Sequence, residues 1–212
     1  MEQDTALIIG AGRAHNAPLI ATLLEAGFCV RFVARCGDIL RDDERNSGVR
    51  IERADVQRLE RLMAQFNGAL RSVERINLII YDAGFTHDLL IDHYEPHRID
   101  DRIAEIRTGA MTASICAAAA LATTSSGLFV MLGFAEGFRN HPGYRRFARG
   151  PTAGFDVAQA LADHETPFKI AYIGLDSEER QSPHPGLGEL ILTLWRQPYP
   201  LPRWRYERND LV

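Results

Sequence analysis

Short runs of consecutive apolar residues alternate along the chain with longer stretches of helical spacing. The runs "ALIIG" (6–10), "CVRFVAR" (29–35), "INLIIYDAG" (76–84), "GLFVMLG" (127–133) and "FKIAYIG" (168–174) read as strands buried on both faces, and "VRIERADV" (49–56) contains a further one. Between them, "PLIATLLEAG" (18–27) predicts a helix with Pro18 near its start and Gly27 as its stop. "VQRLERLMAQF" (56–66) puts Val56, Leu59, Leu62 and Met63 on one helical face. A long helix is expected over residues 98–122, and Pro151 is placed to open another, where a missing N–H costs nothing. Strands of this kind joined by helices imply a doubly wound α/β domain of three layers around a parallel sheet, a single domain over 1–212. Ligands of such sheets bind beyond the carboxyl ends of the strands, where the strand order reverses. Gly10, Gly84, Gly133 and Gly174 close four of the expected strands, and together they favour close approach of a ligand over plain turns.

Composition narrows the function classes. The net charge of −4 gives no overall cationic field to draw in nucleic acid or an anionic membrane. The longest small-apolar run, "ASICAAAALA" (113–122), is about half a membrane span. Cys29, Cys36 and Cys116 have neither metal nor redox spacing, which fits a reducing cytoplasm. The stretch "THDLLIDHYEPHR", with His87, His93, His97, Asp88 and Asp92, lacks an established ligand motif and reads as a polar loop, so no metal is expected.

The first strand–helix turn, "IIGAGRAHNAPLI", sits where a dinucleotide fingerprint belongs. Backbone N–H groups at a helix start attract phosphate, and glycines let a pyrophosphate come close. Gly10 and Gly12 keep the tight start, while Ala14 and Asn16 occupy later glycine slots; His15 either touches phosphate or caps the helix. The second strand ends in Arg35, with no acid until Asp38, and Arg13 lies in the turn itself. Two guanidinium forks suit a 2′-phosphate better than a ribose diol, so NADP(H) is expected over NAD.

In order and spacing these motifs resemble the short-chain dehydrogenase/reductase family over essentially the whole chain, which implies a Rossmann-like fold. "GAGRAHN" is similar to its glycine-rich turn, and "ADV" with Asp55 and Val56 to its adenine-contacting segment. "YDAG" with Ala83 and Gly84 resembles its Asn-Asn-Ala-Gly motif, "GLFVMLGFA" its fifth strand, and "LTLWRQPYPLPRWRYERNDL" its last helix and strand. The resemblance implies hydride exchange with a nicotinamide, a tyrosine moving a proton, a nearby lysine, a serine on the preceding loop and an asparagine on the long helix. Carried over residue by residue, the serine position is Ala135, the tyrosine Phe147, the lysine Pro151, and the asparagine Ile106 or Arg107. None of these has the required group. The segment "EERQSPHPG" also leads almost directly into the last helix, where the family usually inserts a substrate cover.

Three functions stay open at this level. The first is an NADP(H)-binding homologue without the usual Ser-Tyr-Lys set, serving as a scaffold, a sensor or the silent partner of an active subunit. The second is an unconventional NADPH-dependent carbonyl reductase or a non-redox enzyme. It would use Tyr144 or His141 as the acid, with Arg145 or Arg149 lowering the phenol's pKa, on an unidentified small-molecule substrate. The third is a cofactor-free interaction module. The small residues of 109–122 and 152–162 fit the helices through which the family forms homodimers, so a homodimer is expected.

Overall fold

The computed structural model describes residues 3–10, 13–35, 49–54, 75–82, 96–122, 124, 126–134, 151–175, 186–203 and 205–206. Seven strands, β1 (Thr5–Gly10), β2 (Cys29–Arg35), β3 (Val49–Ala54), β4 (Leu78–Asp82), β5 (Leu128–Phe134), β6 (Lys169–Leu175) and β7 (Arg205–Tyr206), form one parallel sheet in the order β3-β2-β1-β4-β5-β6-β7. Four described helices accompany them: α1 (Arg13–Glu25), α2 (Pro96–Leu121), α3 (Pro151–Ala162) and α4 (Gly186–Arg196). The order grows outward from β1 to β3 and then returns to the other side of β1 with β4. The switch point of this doubly wound sheet therefore lies between the carboxyl ends of β1 and β4.

The apolar strand runs are unbroken because both faces are covered. Ala6, Ile8, Val30, Leu78, Ile80, Val130, Ala171 and Ile173 pack with Leu19 and Leu23 of α1 and Ile191, Leu192 and Leu194 of α4. Leu7, Ile9, Ile79, Tyr81, Phe129, Met131 and Tyr172 pack on the other face with Ala110, Ala113 and Ala117 of α2 and Ala158 of α3. Gly188 lets α4 approach α1, since a Cβ there would lie 2.7 Å from Cβ of Thr22.

Strand placement follows the pattern closely, and β2 matches it residue for residue. Helix α1 departs from it by starting at Arg13, which leaves Pro18 inside the helix. Residues 13–17 carry no apolar stripe, so periodicity first registers at Pro18–Leu19; the proline removes one i→i−4 bond early in the helix. The expected stop holds. Gly27 has φ +89°, its N–H donates to Leu24 O and the Phe28 N–H to Leu23 O, which is a Schellman end. Phe28 then meets Trp195 of α4 edge-to-face at 4.9 Å. The helix expected over 56–66 lies outside the described residues. Among the described residues, no helix is long and apolar enough to cross a membrane.

Candidate functional site

The carboxyl end of β1 requires glycine. Gly10 pairs in register with Asp82 of β4 and adopts φ +128°, and a Cβ on it would overlap the Asp82 carbonyl oxygen. Its buried main chain thus lies close against β4 at the switch point, and α1 begins three residues on. The first-turn N–H groups of a helix have no partner within it, so this end can receive an anion. On the other side of β1, Gly10 pairs with Ala34, and Arg35 follows as the last residue of β2. Arg35 pairs in turn with Ala54, after which Asp55 and Val56 continue in the chain. The backbone therefore brings Gly10, Arg13 and Arg35 to one end of the sheet. The side chains of Arg13 and Arg35, and all of Gly12, Asp55, Val56, Ala83 and Gly84, lie outside the described residues.

A polar pair pins the turn from beneath. Asn16, in the first turn of α1, donates from Nδ2 to Oδ2 of Asp82 at 3.4 Å, and each residue is 1% exposed. Burial, and then the neighbouring negative charge of Asp82, hold the Tyr81 phenol well above the ordinary tyrosine range. The motif puts Asn16 in a degenerate glycine slot and carries no sign of this partner; two polar residues at neighbouring ends of the switch point are the available signal.

A second group of residues lies at the carboxyl end of β5. Gly133 and Gly174 pair across β5 and β6, and the fully buried Tyr172 lays its phenol over Gly133, where a Cβ would overlap the hydroxyl. Tyr172 meets Phe155 of α3 edge-to-face at 5.3 Å, and the Arg205 guanidinium lies 5.3 Å from the other ring's centroid, that of Phe155. Sequence reasoning missed this stack; a lone tyrosine inside an apolar strand, diagonal to a glycine, was its trace. Pro151 is the first residue of α3, as expected. Ala135, His141, Tyr144 and Phe147 lie outside the described residues, as do His87, His93, Asp88 and Asp92. Arg107 is exposed on α2.

The chain has a single lysine, Lys169. It is the first residue of β6, in register with the first of β5, and so stands at the amino edge of the sheet, opposite the switch point. There its buried ammonium donates to the carbonyls of Leu194 (3.2 Å), Trp195 and Gln197 (2.8 Å) at the end of α4. Every other basic side chain besides histidine is an arginine, so no lysine is left to serve the switch point.

No protein-family model matches the sequence, and no curated protein matches it. Solved structures match the whole fold. A metagenomic short-chain oxidoreductase in complex with NADP superposes with a TM-score of 0.75 at 16% identity, covering 98% of this chain and 97% of that one. An alcohol dehydrogenase from the archaeon Thermococcus sibiricus, complexed with 5-hydroxy-NADP, gives 0.76 at 15% identity over 97% and 96%. A short-chain dehydrogenase from Rhodopseudomonas palustris gives 0.73 at 19% identity over 96% and 97%. The expected Rossmann-like doubly wound architecture is thus the fold of short-chain dehydrogenases.

Proposed function

We propose that the chain is a short-chain dehydrogenase/reductase homologue that binds NADP(H) but lacks the family's Ser-Tyr-Lys chemistry, and works as a catalytically silent oxidoreductase relative in a reducing cytoplasm. The observation that carries the cofactor reading is the switch point itself: β1 ends at Gly10 with positive φ, the chain runs from there into the start of α1 at Arg13, and Arg35 closes the neighbouring strand. The NADP-bound proteins of the same fold support it. Gly10, Gly12 and the first turn of α1 would hold the pyrophosphate, Arg13 and Arg35 the 2′-phosphate, Asp55 and Val56 the adenine, and Ala83 and Gly84 the floor at β4. When bound, the nicotinamide supplies a hydride donor or acceptor. What this chain's residues lack is the proton-moving partner. Phe147 has no ionisable proton, Ala135 no hydroxyl and Pro151 no charge, and the one lysine is committed to α4 at the far edge of the sheet.

Calorimetry tests the reading. NADPH is expected to bind more tightly than NADH, and Arg35→Ala to weaken NADPH by roughly 10- to 100-fold with little change for NADH, as expected for loss of a charged phosphate contact. NADPH oxidation over a panel of carbonyl compounds should stay at the rate without protein. Equal loss of both nucleotides would remove the 2′-phosphate assignment, and turnover that disappears in Tyr144→Phe would make the protein an enzyme after all.

We also infer a homodimer through α2. Met111 and Ile115 are each 56% exposed, and with the exposed Ala104 and Thr108 they form one stripe along the helix. Spacings of three and four residues are those of a helix–helix seam, and a two-fold axis would set each stripe against its own copy. Light scattering should give the dimer mass for the native chain and half that mass for Met111→Glu/Ile115→Glu; an unchanged mass would place the interface elsewhere.

A further inference from the structure

We propose that Asp82 is a resident counter-anion of the α1 amino terminus and sets how tightly this end of the sheet takes a phosphate-bearing ligand. The proposal rests on the reading of the switch point as a phosphate site and adds the residue that tunes it.

Three placements carry it. Asp82 is the last residue of β4 and faces Gly10 in register, so it stands beside the carboxyl end of β1. Its carboxylate accepts from Asn16 Nδ2, and Asn16 belongs to the first turn of that helix. Both side chains are withdrawn from water, with 1% exposure each. A helix start carries an effective charge of about +0.5, and a carboxylate within its first turn is stabilised there. A ligand phosphate is drawn to the same pole. The two anions therefore compete for one positive end, across a buried medium that screens them less than water does. The neighbouring Tyr81 phenol already feels the Asp82 charge as well as its own burial. Asn16 has its own place in this arrangement: its amide ties the first turn to β4 by a hydrogen bond, at a slot where a glycine would rely on contact alone.

An asparagine at 82 keeps an acceptor for Asn16 and removes the charge. Asp82→Asn and, as a second neutral variant, Asp82→Ser should bind inorganic pyrophosphate and NADPH about tenfold more tightly than the native chain at low salt. Adenosine, which has the base and sugar without phosphate, should bind all three proteins alike, because a charge effect does not reach a neutral ligand. Without ligand, the neutral variants should melt earlier, having lost the anion that α1 now holds. Pyrophosphate affinity that is unchanged or reduced in both variants overturns the proposal, as does an equal gain for adenosine, which would mark a change of shape. If pyrophosphate gains while NADPH binds none of the three proteins, Asp82 keeps this role and the cofactor reading fails by itself.

Discussion

Gly10→Ala is expected to leave little folded protein. The residue sits at φ +128°, which alone costs a side-chain-bearing residue about 1–3 kcal/mol. The added methyl would also overlap the Asp82 carbonyl oxygen, a backbone atom of a paired central strand that has no rotamer to change. Relief requires parting β1 from β4 where the two halves of the sheet join. The combined cost should exceed about 4 kcal/mol, a large fraction of a domain's stability. Gly27→Ala is the internal control. Gly27 also has positive φ, at +89°, but a Cβ there would meet nothing within 4 Å, so only the backbone term of about 1 kcal/mol remains. Urea unfolding of the two variants should separate steric closure from glycine's conformational freedom. A Gly10→Ala protein as stable as Gly27→Ala would mean that β1 and β4 are not this close.

The two glycines also show what a sequence can and cannot say about this site. Gly10 is legible because the need for a bare backbone leaves a visible residue at the end of an apolar run. The strands are legible because burial on both faces writes itself as continuous apolar residues, as in β1 and β4, where every residue is buried. The start of α1 is not, because its first turn is tied by Asn16's bond to Asp82, 66 positions away, which leaves no periodic trace. Pairings of this kind depend on which strand ends meet, so they come into view only with the strand order. The same holds for Tyr172 over Gly133, and for Lys169, whose partners lie 25 to 28 residues further along. Resemblance supplied the positions of the missing catalytic groups, and Pro151 at the head of α3 is where it put one of them.

Lys169→Met should destabilise the protein by about 2–4 kcal/mol near neutral pH, although it replaces a buried cation with an apolar chain of similar length. Two effects oppose each other. Burial disfavours the ammonium and lowers its pKa below the ordinary value of 10.5, so removing the charge recovers that cost. Against this, the substitution strips a donor from the carbonyls of Leu194, Trp195 and Gln197 at the negative end of α4, the first of these bonds buried and the other two partly buried. A buried acceptor left bare costs about 1–3 kcal/mol and a partly buried one less, and the three together outweigh the recovered desolvation. The pH dependence separates the two. A folded-state pKa below that of the unfolded chain means the unfolded state binds more protons between the two values, so stability from this group rises with pH across that window, up to 10.5. The native chain should therefore gain stability on approaching that value relative to Lys169→Met, which has no such group, and the gap between them should widen. Because no other lysine titrates, the difference between the two proteins in paired urea unfolding at about pH 7 and about pH 10 reports this one side chain. A gap that narrows would mean that the three carbonyls, by favouring the charged form, hold the pKa up rather than letting burial bring it down.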